Sequence, residues 1–138
     1  MPVVATAQPA EGQKYKILVN EIKVNSSGFA ILRWTIKNTG SRTVRIEGLF
    51  QNLQIQQYAP HAGPTGVNIV DKAAGKRYRP LSNSERSCLC ASLTYLDFKL
   101  PPGQQLRLYD TYLLPPETTK VTVEIPGFKP IPGVRVQR

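Results

Sequence analysis

Residues 28–38 read GFAILRWTIKN. Ala30, Leu32, Trp34 and Ile36 fall on one side of an extended chain, and Arg33, Thr35 and Lys37 fall on the other. Successive side chains alternate across a pleated strand, so this period of two predicts a half-buried antiparallel strand. NTGS at 38–41 follows as a turn in which Gly40 is free to take positive φ. Val44 and Ile46 then alternate with Thr43, Arg45 and Glu47, predicting a second strand.

Upstream, YKILVNEIKVN (15–25) carries Ile17 and Val19 on one phase and Ile22 and Val24 on the other. Such a one-residue phase change predicts a bulge or break near Asn20–Glu21. Downstream, LFQNLQIQQY (49–58) reads as a kinked strand and VNIVD (67–71) as a short one. QLRLYDTYLL (105–114) sets Leu106, Leu108, Asp110 and Tyr112 against Arg107, Tyr109 and Thr111. In KVTVEI (120–125), Val121, Val123 and Ile125 share a face, and Val134 and Val136 predict an edge strand at the end. Pro101–Pro102 and Pro115–Pro116 lack ladder donors and mark strand ends.

The pattern is seven to nine short strands with turn residues at intervals of roughly ten residues. It contains neither an internal repeat nor a dividing linker. It predicts an all-β, immunoglobulin-like antiparallel β-sandwich, with one domain over 13–138 and a flexible lead-in over 1–12.

The composition agrees. The chain has 138 residues, 41% of them hydrophobic and 20% charged. That is enough to build a core without metals or disulfides. No run approaches the ~18 apolar residues of a membrane span. Residues 1–10, MPVVATAQPA, show neither the basic start nor the apolar centre of a secretory signal. The net charge of +9 points toward polyanions: nucleic acid, anionic headgroups or acidic cell-wall polymers.

The candidate chemistry is sparse. Cys88 and Cys90 would have Cα atoms ~6.5–7 Å apart in an extended strand. That lies at the long edge of disulfide geometry, so closure would need a local turn. Three readings stand open: a close-spaced disulfide, two free thiols, or a redox or metal pair. Zinc needs four ligands and His61, in the loop APHAGPTG, is the only histidine, so neither a metal site nor a cofactor is expected. Ser82, Ser84 and Ser87 stand in no nucleophile motif, and the carboxylates are scattered; no catalytic residue is expected. Asp110 is in phase with core-facing leucines, which predicts a buried, hydrogen-bonded acid or a bulge.

The best binding candidate is a basic run with an aromatic inside it: Lys72, Lys76, Arg77, Tyr78, Arg79 and Arg86. Arginine forks and an aromatic face suit phosphates, carboxylates or sugar–peptide polymers. No RNA- or DNA-binding motif accompanies it.

WTIKNTGSRTVRI (34–46) resembles the second-strand, turn and third-strand segment of bacterial extracytoplasmic immunoglobulin-like domains. YRPL (78–81), CLC (88–90), LPPGQ (100–104) and LPPETTKVTVEIPGFKPIPGV (114–134) resemble secreted or lipoprotein domains of actinobacterial type. Some of those sit beside an OmpA-like peptidoglycan-binding module. The resemblance implies an extracytoplasmic, envelope-associated domain and assigns it no chemistry. The expected function is therefore a non-catalytic interaction or structural domain. It would contact a protein or an anionic cell-envelope polymer through loops and the basic segment. A nucleic-acid-binding β-barrel and a Cys-x-Cys thiol redox protein are the alternatives. An exposed C-terminal edge strand would also allow a homodimer.

Overall fold

The computed structural model describes residues 2–7, 15–46, 50, 63–92 and 99–138. Among these the protein is all-β, with no helix. The strands are β1 (Ala5–Thr6), β2 (Tyr15–Val24), β3 (Ala30–Asn38), β4 (Val44–Arg45), β5 (Asn68–Asp71), β6 (Lys76–Tyr78), β7 (Lys99–Leu100), β8 (Gln105–Tyr112), β9 (Lys120–Glu124) and β10 (Ile131–Gln137). No helix among the described residues is long and apolar enough to cross a membrane.

The alternation in β3 organises the core. β3 pairs antiparallel with β2 on one side and with β8 on the other. The register aligns apolar side chains in rows: Ile17–Ile36–Leu106, Val19–Trp34–Leu108 and Val24–Ala30–Tyr112. Trp34 is wholly buried and meets Phe50 edge-on, with ring centroids 5.0 Å apart. The expected phase change in β2 is a bulge: Val19 opposes Trp34 and Glu21 opposes Arg33, leaving Asn20 as the extra residue. Ile22 is thereby returned to the core face opposite Leu32.

The main sheet runs β6-β5-β9-β10-β2-β3-β8, with β1 paired to β2 off this path. It curls, bringing its two ends toward each other. Tyr78 of β6 pairs with Ile69 of β5 at one end. Only Arg79 and Pro80 intervene before the Leu81 amide donates to Thr111 of β8, 2.8 Å away, at the other end. Three peptide steps span at most ~11 Å, so the two ends of the sheet lie no farther apart than that along the connecting chain. Inside the curl, the Tyr112 hydroxyl of β8 donates to the carbonyl of Val67, just before β5, at 2.7 Å.

Several expectations change. Residues 4–7 are not a loose lead-in. The amides of Val4 and Ala7 donate to the carbonyls of Val19 and Ile17, and Ala7 is buried, because this stretch fills the free edge of β2. The rest of the lead-in, 8–12, lies outside the described residues. β10 is not an edge: it lies between β9 and β2, so the edge-to-edge homodimer loses its expected strand. Its pairing with β2 is parallel, so the sheet is not purely antiparallel. Val44–Arg45 pairs with β7, outside the main sheet, and not with β3. Asn38 causes this departure. Its Nδ2 donates to the carbonyls of Arg42 and Leu100, and its Oδ1 accepts from Gly40, which turns the chain away from β3. The kinked strand expected over 49–58 lies outside the described residues, apart from Phe50, as does His61.

Removing the hydroxyl in Tyr112→Phe leaves a buried Val67 carbonyl without that donor. The expected cost is about 1–3 kcal/mol in urea unfolding.

Candidate functional site

Segment 81–91 runs alongside β8 and extends the sheet beyond it. Thr111 donates to Leu89, Ala91 donates to Tyr109, and Leu89 bonds back to Leu81. Isolated bridges join Ser82 to Cys88 and Cys90 to Asp110. Asn83 holds the intervening turn: its Oδ1 accepts from the amides of Glu85 and Ser87, and its amide bonds the Ser87 carbonyl. Arg86 takes the left-handed conformation there, with φ of 62°.

This turn brings Cys88 and Cys90 to a Cα separation of 5.3 Å, and the two form a disulfide. Both residues are 6% exposed, with Leu89 standing out between them at 38%. The closed loop spans only Cys88 to Cys90. On the chain-entropy relation so short a loop contributes about 1.6 kcal/mol, against about 4.7 kcal/mol for a 100-residue loop.

Asp110 lies beneath the disulfide. It sits in register with Leu32, in an unbroken β3–β8 ladder, so it is a buried acid rather than a bulge residue. Its Oδ2 accepts from Trp34 Nε1 at 3.1 Å. Its Oδ1 is buried and has no hydrogen-bond partner among the described residues. The two sulfurs and a carboxyl oxygen of Asp110 lie within 4.8 Å of one another. Burial pushes the Asp110 carboxyl well above the usual carboxylate range, and the indole hydrogen bond only partly opposes this.

The expected basic site is spread along the chain. Lys72, Lys76, Arg77, Arg79 and Arg86 are exposed. Lys72 lies in the β5–β6 turn, Lys76 and Arg77 on β6, Arg79 in the connection to segment 81–91, and Arg86 in the Asn83 turn. Arg77 makes a two-point ion pair with Glu124 of β9, at 3.0 and 3.1 Å. Tyr78 is half-buried and packs its ring on the core, not outward between the cations.

A second cationic surface was not legible as a cluster in the sequence. On the outward face of β2, β3 and β8, the register places Lys16 opposite Lys37, Thr35 beside Arg107, and Arg33 between Glu21 and Tyr109. Lys16, Lys23, Arg107 and Tyr109 are exposed. A shallow pocket on this side is lined by Asn20, Arg33, Trp34, Arg107, Leu108 and Tyr109. Arg33 pairs with Glu21 at 3.3 Å, and Glu21 is the one carboxylate these three strands turn outward. Like charges directly opposed across a pair of strands destabilise it, so Lys16 opposite Lys37 does nothing for the fold. The signal lies in the polar phase of each strand, where cations alternate with the core residues.

Compared with known proteins, the chain matches no family model, no curated protein sequence and no solved structure.

The buried carboxyl has a pH signature. Native Asp110 keeps its proton over a range in which the unfolded chain, titrating near pH 3.9, has lost it. The native state then binds more protons, so stability falls as pH rises from about 4 toward the raised folded value. Asp110→Asn retains an acceptor for Trp34 and removes this slope. In urea unfolding across pH, the variant's stability relative to wild type should climb from pH 4 toward neutrality; parallel profiles would refute the assignment.

Proposed function

We propose that this chain is a non-catalytic, immunoglobulin-like domain of the cell exterior. Its role is to bind an anionic envelope polymer through the outward face of β2, β3 and β8. The observation that carries the reading is that face: Lys16, Lys23, Arg33, Lys37 and Arg107 against the single carboxylate of Glu21, with Tyr109 exposed among them. A polymer bearing phosphate or carboxylate groups would relieve the Lys16–Lys37 repulsion and lie along the cross-strand rows. Arg33 and Arg107 offer forks for its oxyanions. Arg86 and Leu89 extend the surface past β8, whereas Lys72 and Lys76 belong to the β6 end of the sheet.

The strand path supports the immunoglobulin-like part. Leaving aside the two-residue strands, the chain lays β2 and β3 side by side and crosses to β5 and β6. It then returns beside β3 with β8 and finishes with β9 next to β5 and β10 between β9 and β2. Such a path supports a Greek-key sandwich reading. On this reading the parallel β2–β10 contact would join the two layers along one side. The Cys88–Cys90 disulfide favours an oxidising compartment. The resemblance of residues 34–46 and 114–134 to secreted and lipoprotein domains points the same way.

Binding to a poly(glycerol phosphate) wall polymer, measured by calorimetry at low ionic strength, should weaken as salt rises. The double change Lys16→Glu, Lys37→Glu should reduce affinity on the order of tenfold or more, since it replaces attraction by repulsion. Lys72→Glu with Lys76→Glu should have a smaller effect. No binding at low salt would refute the proposal. Equal or tighter binding to a single-stranded oligonucleotide would favour the nucleic-acid reading instead.

A further inference from the structure

We propose that Cys88–Cys90 is a thiol–disulfide exchange site for an external dithiol, with Asp110 as the proton donor and acceptor for the sulfur that leaves. Three observations carry it. The disulfide spans a sequence separation of only 2, near the lower end of what the chain-entropy relation assigns to a staple. A carboxyl group lies within 4.8 Å of both sulfurs. The Oδ1 atom of that carboxyl is buried and has no partner among the described residues.

The chemistry follows from those positions. A disulfide offers no hydrogen-bond donor, and a carboxyl oxygen of Asp110 lies within 4.8 Å of both sulfurs while its Oδ1 has no partner among the described residues. Attack by a thiolate on one sulfur breaks the S–S bond and forms a mixed disulfide. The bonding pair leaves on the other cysteine, inside a buried site where a bare thiolate is costly. The Asp110 carboxyl transfers its proton to that sulfur and becomes a carboxylate, which accepts a hydrogen bond from the new thiol. The second thiolate of the external dithiol then attacks its own sulfur in the mixed disulfide. This releases the other cysteine, and water returns a proton to each group left charged. Two electrons pass: the protein disulfide becomes a dithiol and the external dithiol becomes a disulfide. In the reverse sequence Asp110 takes the proton from the attacking cysteine, the external disulfide is reduced to a dithiol, and the Cys88–Cys90 bond forms again.

The surroundings leave Asp110 as the proton carrier. Trp34 Nε1 holds Oδ2 from β3, and Leu32 lies directly across from the carboxyl. The sulfurs face it from the 88–90 turn. Among the described residues no lysine, arginine or second carboxylate forms an ion pair with it. Access is through the 6% of each cysteine that remains exposed, beside the outward Leu89. Segment 81–91 is held to Tyr109 and Thr111 by backbone bonds that do not involve the sulfurs.

The test is the rate at which dithiothreitol reduces the folded domain, followed by mass after acid quenching and alkylation, from pH 5 to 9. In wild type, the rate divided by the dithiothreitol thiolate fraction should fall as pH rises through the Asp110 titration, because the donor is lost. In Asp110→Asn it should be flat and, at the acid end, at least tenfold lower. A variant within threefold of wild type at every pH, with the same profile, would overturn the proposal. A second readout covers a variant that fails to fold: carbon-13 NMR of the Asp110 carboxyl in wild-type protein. Its titration should move between the disulfide and dithiol states; identical titrations in both would overturn the proposal. Neither measurement involves the polymer-binding face, so the two proposals fail separately.

Discussion

The whole wrap hangs from the free edge of β2. On one side β2 is bonded to β3 along its length. On the other, that edge is divided: β1 takes Leu18 and Val19 antiparallel, and β10 takes Ile22 and Lys23 parallel. Two neighbours of opposite direction cannot continue one ladder, and the bulge at Asn20 falls between them. Its side chain ties β3 to the N-terminal segment across β2, accepting from Thr35 Oγ1 at 2.8 Å and donating to the carbonyl of Pro2 at 2.8 Å. Among the described residues, the half-sheet β6-β5-β9-β10 joins the ladder of β2-β3-β8 through the two pairs beyond that bulge. Without them, backbone groups on β2 and β10 would be left unbonded, at about 1–3 kcal/mol for each one buried.

What could be read in advance followed the range of the interactions involved. β3, β8 and β9 were legible because each carries its own alternation, and burial of Trp34, Leu108, Val121 and Val123 follows directly. The bulge was legible because a phase change is local. The destination of Val44–Arg45 was not. It depends on the Asn38 side chain reaching Leu100, far along the chain, and no local pattern encodes that. β10 looked like an edge because IPGVRVQ is short and polar. Its interior position is set by β2 and β9, both remote in sequence.

The candidate sites show the same division. A run of cations between residues 72 and 86 is conspicuous in one dimension, yet the fold sends Arg77 to Glu124 and turns Tyr78 inward. The cations of β2, β3 and β8 are evenly spaced along separate strands and become neighbours only through register. Asp110 was recognisable as anomalous from its phase among leucines. Its nearness to the two sulfurs required the bridge between Cys90 and β8, a contact that sequence cannot place.

The short tie at Arg79–Pro80 has a consequence for how this protein meets its ligands. A β-barrel that carries cargo inside must let its rim part or keep a hollow centre. Here the two ends of the sheet are linked by a strap of two residues, backed by the Leu81–Thr111 bond and the Tyr112 hydroxyl. Trp34, Tyr112 and Phe50 occupy the interior, all fully buried. The interior is filled by side chains, so the proposed binding belongs to the outside of the sheet.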